Sequence, residues 1–304
     1  MTTEHASDVV TTTMNKNERF RSNRWRWQRD RPATVPMIWL EIVVLMAWLV
    51  AACAPTPTPT LEPVLLTLSG STEMAPLLTQ LCDAFRETHP HVAVTIQAVH
   101  SAFGIEQAKN KEGTLGAVAV DPPEEMWAAP IAVDGIALVV HPDNPLQNLT
   151  LVQARDIFSG RLWHWRDLEV RTTEEEITVI SREEGSGTRK VFETSVMEGD
   201  PVTPTAVLIP GGAAVIAFVT RHPGAIGYVS QGLVSPKVRA VPIEGLAPAP
   251  DHIADRSYPL VRPFYLVAPQ EPTGVARQFV DFCLSAKGQA IVAQRYVPVR
   301  AAEP

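Results

Sequence analysis

Ser181–Lys190 reads SREEGSGTRK: an arginine, two acids and a Gly-Ser-Gly-Thr turn, followed by the apolar-periodic residues Val191, Phe192 and Val196. An apolar run, Ile177–Ile180, stands directly before it, so the stretch has the layout strand, turn, helix. Ser and Thr oxygens just ahead of a helix satisfy free backbone N–H groups. The same helix start carries unpaired donors and the positive end of the helix dipole, which together seat an anion. Gly185 and Gly187 let backbone approach a ligand, and Arg182 adds a fixed positive charge. Two readings stand at this point, a plainly capped helix or one wall of an anion site.

Outward from this unit, short apolar runs alternate with amphipathic stretches. Strands are predicted at Val64–Leu68, Val92–Ala98, Leu115–Val120 and Gly135–Val140, with a helical period through Met74, Leu77, Leu78, Leu81 and Phe85 and a short helix at Ile105–Lys109. The second half continues the alternation, with a helix at Leu151–Phe158, a helix at Val191–Met197, a strand at Ala206–Ile209, a helix at Gly211–Val219 and a strand at Ile226–Val229. Tyr258–Val267 reads as a strand interrupted by Pro263, and Thr273–Leu284 and Lys287–Ala293 close the chain as helices. Strands alternating with helices predict an α/β protein, in which ligand loops lie where strand ends enter helices.

The N-terminal region is of another kind. Residues 1–36 are polar and basic with no apolar period, and are expected to be disordered. Met37–Cys53 (MIWLEIVVLMAWLVAAC) is almost wholly apolar, suited to the core of a signal peptide. Its end, Leu49-Val50-Ala51-Ala52-Cys53, resembles a bacterial lipobox, in which Cys53 is lipidated and becomes the new N-terminus; an uncleaved membrane anchor is the other reading. The arginine cluster before it reads as a positive cytoplasmic flank. Ala54–Pro63 (APTPTPTLEP) favours extended polyproline II and is expected to be a semi-rigid stalk. On either reading the folded part lies outside the cytoplasm, anchored to the cell membrane.

The remaining composition narrows the function. A formal charge of −7 argues against nucleic-acid binding. Cys82 and Cys283 sit in apolar helical patterns and read as buried hydrophobes, the alternative being a bridge between them. No phosphate-binding G-x-x-x-x-G-K-[ST], G-x-S-x-G or His-Glu-x-x-His pattern is present, so neither a catalytic set nor a metal site is expected, and no cofactor. Trp127, Trp163 and Trp165 are assigned to packing rather than to a sugar platform.

Taken in order, SGSTEMAPL at Ser69–Leu77, VVHPDNPLQNLTLVQARDIFSGRLWHW at Val139–Trp165, SREEGSGTRK, PGGAAVIAFV at Pro210–Val219, HPGAIGYV at His222–Val229, YPLVRPFYLV at Tyr258–Val267 and FVDFCLSAKGQAIV at Phe279–Val292 resemble the phosphate-binding proteins of bacterial ABC transporters. The resemblance covers nearly all of residues 64–300. It implies a two-lobed periplasmic-binding-protein fold, each lobe a central, mostly parallel sheet flanked by helices, with the ligand cleft between them. The first lobe is expected at 64–140 plus 252–304 and the second at 141–251.

The resemblance also implies one anion held without metal by backbone N–H groups, hydroxyls, an arginine and an acidic acceptor. Ser71 and Thr72 match the first turn, Ser101 the second loop, and Arg182, Ser186, Gly187 and Thr188 the third turn. The family's serine or aspartate after the third strand is missing here, where Gly116–Val120 is wholly apolar; Asp121 just beyond and Glu184 opposite are the substitutes considered. Arg182→Ala is expected to lose affinity while barely changing stability. The expected ligand is inorganic phosphate first, then sulfate, molybdate or tungstate, delivered to ABC transporter permease subunits. A sensor or scavenger of the same fold is the alternative.

Overall fold

Val64–Ser71 (β1) lies between Val92–Val99 (β2) and Thr114–Val118 (β3), parallel to both. The fold is seen in a computed structural model that describes residues 64–299. The basic N-terminus, the Met37–Cys53 segment with its lipidation candidate and the Ala54–Pro63 stalk lie outside the described residues, as do residues 300–304. Among the described residues no helix is long and apolar enough to cross a membrane.

The helix Ala75–Arg86 turns Leu77, Leu78, Leu81, Cys82 and Phe85 inward, the three- and four-residue spacing of a one-sided helix. Pro76 sits in its first turn, where the missing N–H has no intrahelical partner to lose. Phe85 meets Phe279 edge to face at 5.4 Å, tying this helix to Gly274–Leu284 near the other end of the chain.

Trp127–Val140 (β4) is the longest strand. Trp127–Gly135 pairs antiparallel with Val261–Ala268 (β9), and Ile136–Val140 pairs antiparallel with Ala225–Ser230 (β7). Thr178–Arg182 (β5) is parallel to β7 and to Val207–Ile209 (β6), and Arg239–Val241 (β8) pairs with β4. The strand order is β2-β1-β3-β9-β4-β7-β5-β6. The pairs that end at helix-forming turns are parallel, and those that carry the chain across the middle are antiparallel. Pro263 is tolerated in β9 because β3 stops pairing at Tyr265, which leaves an open edge there.

Two main apolar cores follow the sheet. Leu66, Leu81, Phe85, Ile131, Phe264 and Phe279 belong to one; Ile136, Phe158, Trp165, Phe192, Tyr228 and Leu260 belong to the other. Trp165 is fully buried with its indole N–H donating to the Gly224 carbonyl, as a packing role requires, whereas Trp163 is exposed.

The strands and helices fall where the sequence pattern predicts them, with instructive exceptions. β4 begins at Trp127 rather than Gly135; Pro130 at a register shift and the single charge of Asp134 conceal the first half of the strand from local pattern. The helix expected at Ile105 starts at Ser101, because the His100 ring caps it by accepting from Phe103 N. The helix expected at Val191–Met197 begins at Gly187 and passes into a π turn at Glu193–Met197. β8 and the short helix Pro250–Ala254 carry too little apolar periodicity to be read in advance.

Candidate functional site

Three strand-to-helix turns converge. Ser71 ends β1, and its hydroxyl accepts from Glu73 N at 3.2 Å, shaping the turn that holds Thr72. Gly70 brings this strand end against β3: a Cβ there would lie 2.0 Å from the Ala117 carbonyl oxygen. Ser101 is the first residue of its helix, fully buried, with its hydroxyl accepting from Ala119 N at 3.1 Å. Arg182 ends β5, and Ser186 caps the helix that follows by accepting from Arg189 N.

The second loop and third turn touch directly. Ala102 N donates to the Gly185 carbonyl, and Gly187 packs on Ser101 so closely that a Cβ would stand 2.5 Å from the hydroxyl oxygen. Thr72 joins them, its hydroxyl 3.5 Å from Arg182 Nη2. Ser71, Ser101, Arg182, Ser186 and Thr188 are all buried. The capped-helix reading of Ser181–Lys190 is thus observed, and the start of that helix faces the turn at Ser101.

Beside Ser101, Ser186 and Gly187 lies a cleft of about 420 Å³, floored by Val120 and rimmed by Glu184 and Lys190. Glu184 is exposed on this rim. Asp121 is exposed on the loop after β3 and is not gathered with the others. The apolar segment before it enters the site by its backbone instead, through Ala119 N and the Ala119 carbonyl.

Arg182 is more heavily engaged than its sequence position suggests. Its Nε and Nη2 form a fork with Glu183 at 2.9 and 3.0 Å, and Nη1 meets Glu73 at 2.5 Å. Burial opposes the charge on Arg182, but the Glu73 and Glu183 carboxylates outweigh it and hold its pKa above the usual value. Burial likewise pushes Glu183 upward, and Arg182 overrides it, so this carboxyl lies below its usual value. Removing Arg182 would strand two carboxylates, one of them fully buried; the expectation of an unchanged stability for Arg182→Ala is thus replaced by a loss.

A second buried guanidinium completes the surroundings. Arg262, from β9, donates through Nη1 to the Thr188 hydroxyl at 2.9 Å and is held by Asp134 of β4, whose other oxygen accepts from Ser230. Burial raises the Asp134 pKa from 3.8 to about 6, although Arg262 and Ser230 both work to lower it. Glu73, Glu183, Asp134 and Arg262 are not among the residues expected from sequence. Asp134 and Arg262 had a visible signal, a lone charge inside each apolar run IAVDGIALVV and YPLVRPFYLV. Among the described residues no group of His, Cys, Asp and Glu is placed to hold a metal ion.

A family model described as a PBP superfamily domain matches residues 56–287. The chain belongs to the PBP superfamily. Among the relatives of this superfamily, a phosphate-binding protein PstS of Bacillus subtilis is 29% identical over 252 residues, covering 77% of this chain and 80% of that one. A crystal structure of a putative phosphate ABC transporter substrate-binding protein from Clostridium perfringens, with bound phosphate, is 34% identical with a TM-score of 0.74, covering 78% of this chain and all of that one (100%). An ABC-type phosphate transport receptor from Vibrio cholerae is 28% identical with a TM-score of 0.64, covering 76% of this chain and 99% of that one. These relatives are solute-binding proteins, not enzymes.

Proposed function

We propose that this chain is an extracytoplasmic, lipid-anchored solute-binding protein that captures an inorganic oxyanion, phosphate first, and delivers it to the permease of an ABC transporter. The observation that carries the reading is the convergence of three helix-starting turns, at Ser71–Thr72, Ser101 and Ser186–Thr188, around buried Arg182. A dehydrated tetrahedral anion needs many convergent donors, because each unpaired oxygen in a closed site carries a desolvation cost of about 1–3 kcal/mol. Hydroxyls and helix-start N–H groups supply those donors without a metal.

Ligand residues in this reading are Ser71, Thr72, Ser101, Arg182, Ser186, Gly187 and Thr188, with Glu184 at the rim. The lobes expected from sequence are 64–140 plus 252–304 and 141–251; the two apolar cores support two lobes but draw Ile136–Val140 and Ile253–Leu260 into the second, and the passage of β4 from one core to the other supports a hinge within the strand. The names of the relatives support phosphate as the first ligand to test. Anchoring rests on Cys53 after its lipobox-like sequence.

Calorimetry on the full chain in detergent, titrated with phosphate, sulfate, molybdate and tungstate, tests the binding step. Submicromolar phosphate binding is expected, and failure of all four to bind would sink the proposal. Co-purification with a permease subunit tests delivery, and mass spectrometry of the mature N-terminus tests lipidation at Cys53.

A further inference from the structure

Glu73 follows the two residues assigned to the first ligand turn, yet its carboxylate is fully buried. Its Oε1 accepts from Arg182 Nη1 at 2.5 Å and from Gly212 N at 3.0 Å. Gly212 is the first residue of the helix Gly212–Val219, so this oxygen takes a guanidinium and a helix-start N–H together. Both donors are of the kind an oxyanion needs. Oε2 has no hydrogen-bond partner, and it lies so close to Gly212 that a Cβ there would be 2.7 Å away. Buried carboxylate oxygens are rarely left unpaired, since the desolvation is then uncompensated.

The neighbours fix where this carboxylate sits. Glu73 N is bonded to the Ser71 hydroxyl, and Arg182 touches both Glu73 and Thr72. Glu183 already holds Nε and Nη2 of the same guanidinium, so Arg182 needs only one carboxylate for charge balance and has two. The surplus negative charge stands beside a site read as one for an anion, where like charge opposes binding.

We propose that the Glu73 carboxylate is a built-in anion that occupies part of the oxyanion seat, so that Glu73 limits the affinity of the site and sets the charge of the ligand it accepts. This rests on the reading of Ser71–Thr72, Arg182 and Ser186–Thr188 as the ligand turns. An incoming oxyanion meets Arg182 and Gly212 already engaged, and a dianion is disfavoured relative to a monoanion. Glu73→Ser vacates the position and leaves a hydroxyl there, while Glu73→Gln keeps the shape and removes the charge.

The test compares the full-length protein in detergent with both variants, using inorganic phosphate in calorimetry and phosphate and acetate in thermal melts. The expected result is phosphate affinity at least about tenfold tighter in both variants, with the melting temperature of Glu73→Ser raised by phosphate or acetate well beyond the parent's response. A merely structural glutamate would not give that rescue by added anion. Equal or weaker affinity in both variants, or no rescue, overturns the proposal. If the parent binds no phosphate and the variants do, the internal anion stands and phosphate capture by the parent fails. If parent and variants bind phosphate alike, the capture reading stands and the internal anion fails.

Discussion

Arg262 and Asp134 form an ion pair, 2.9 Å between Nη2 and Oδ2, in which neither side chain exposes more than 2% of its surface. Such a pair is costly to break from one side, because the survivor keeps its charge without water or partner. Asp134→Ala is expected to destabilise the protein by about 3–5 kcal/mol, the range for an orphaned buried charge. A paired replacement of Asp134 and Arg262 by apolar residues is expected to cost less than the single change. Urea unfolding midpoints of the two variants check the order; a single variant as stable as the pair would refute it.

The same carboxyl gives a pH signature. Burial raises Asp134 above its ordinary value of 3.8, to about 6, so the folded state holds this proton more tightly than the unfolded chain does. The contribution of this group to stability is therefore full below the ordinary value and is lost as pH rises through about 6. Carboxyl NMR titration should place its midpoint near 6, and Asp134→Asn should remove a stability decline between pH 4 and 6. A midpoint at the ordinary aspartate value would contradict the environment described.

Gly187 is the tightest point between the second loop and the third turn. An added Cβ would meet the Ser101 hydroxyl at 2.5 Å and the Ala119 carbonyl oxygen at 3.0 Å, and the latter is backbone and cannot rotate away. Gly187→Ala is expected to lose about 1–3 kcal/mol by overpacking. Oxyanion affinity should fall about tenfold or more as the turns are pushed apart. Calorimetry and melting curves on the same sample measure both.

Cys82 and Cys283 are free and buried, on helices packed in the same core. Burial pushes the Cys82 thiol up to about 12 and lifts Cys283 well above its ordinary value, so neither offers thiolate at neutral pH. Iodoacetamide is expected to leave both unmodified in the native protein and to label both in denaturant, as read by peptide mass spectrometry. Native labelling at either position would show that this core opens.

Much of this was legible in the sequence, and the reasons for the remainder are physical. Strand and helix periodicity follow from side-chain burial, so β5, β7 and the helix Leu151–Phe158 could be read from local pattern alone. Thr150 and Gln153 even announce that helix with a capping box. The turn at Ser186 was readable because a helix start favours a small hydroxyl cap whether or not a ligand is present, whereas Met74 and His100 hold the cap positions of the helices after Ser71 and beside Ser101. What local pattern cannot supply is the partner of a charge far away in the chain. Glu73 reaches Arg182 across 109 positions and Arg262 reaches Asp134 across 128, so both pairings emerge only when the strands are laid side by side.

β4 passes from one apolar core to the other without a break, leaving its ladder with β9 at Gly135 and entering the one with β7 at Ile136. At this crossing the two halves share a leaf spring rather than a pin. In the two-lobed reading proposed above, gaping of the cleft would be stored as extra twist in a strand paired on both sides of this junction, an elastic movement that returns on its own. It also leaves no slack loop at this junction of β4 for a protease to cut.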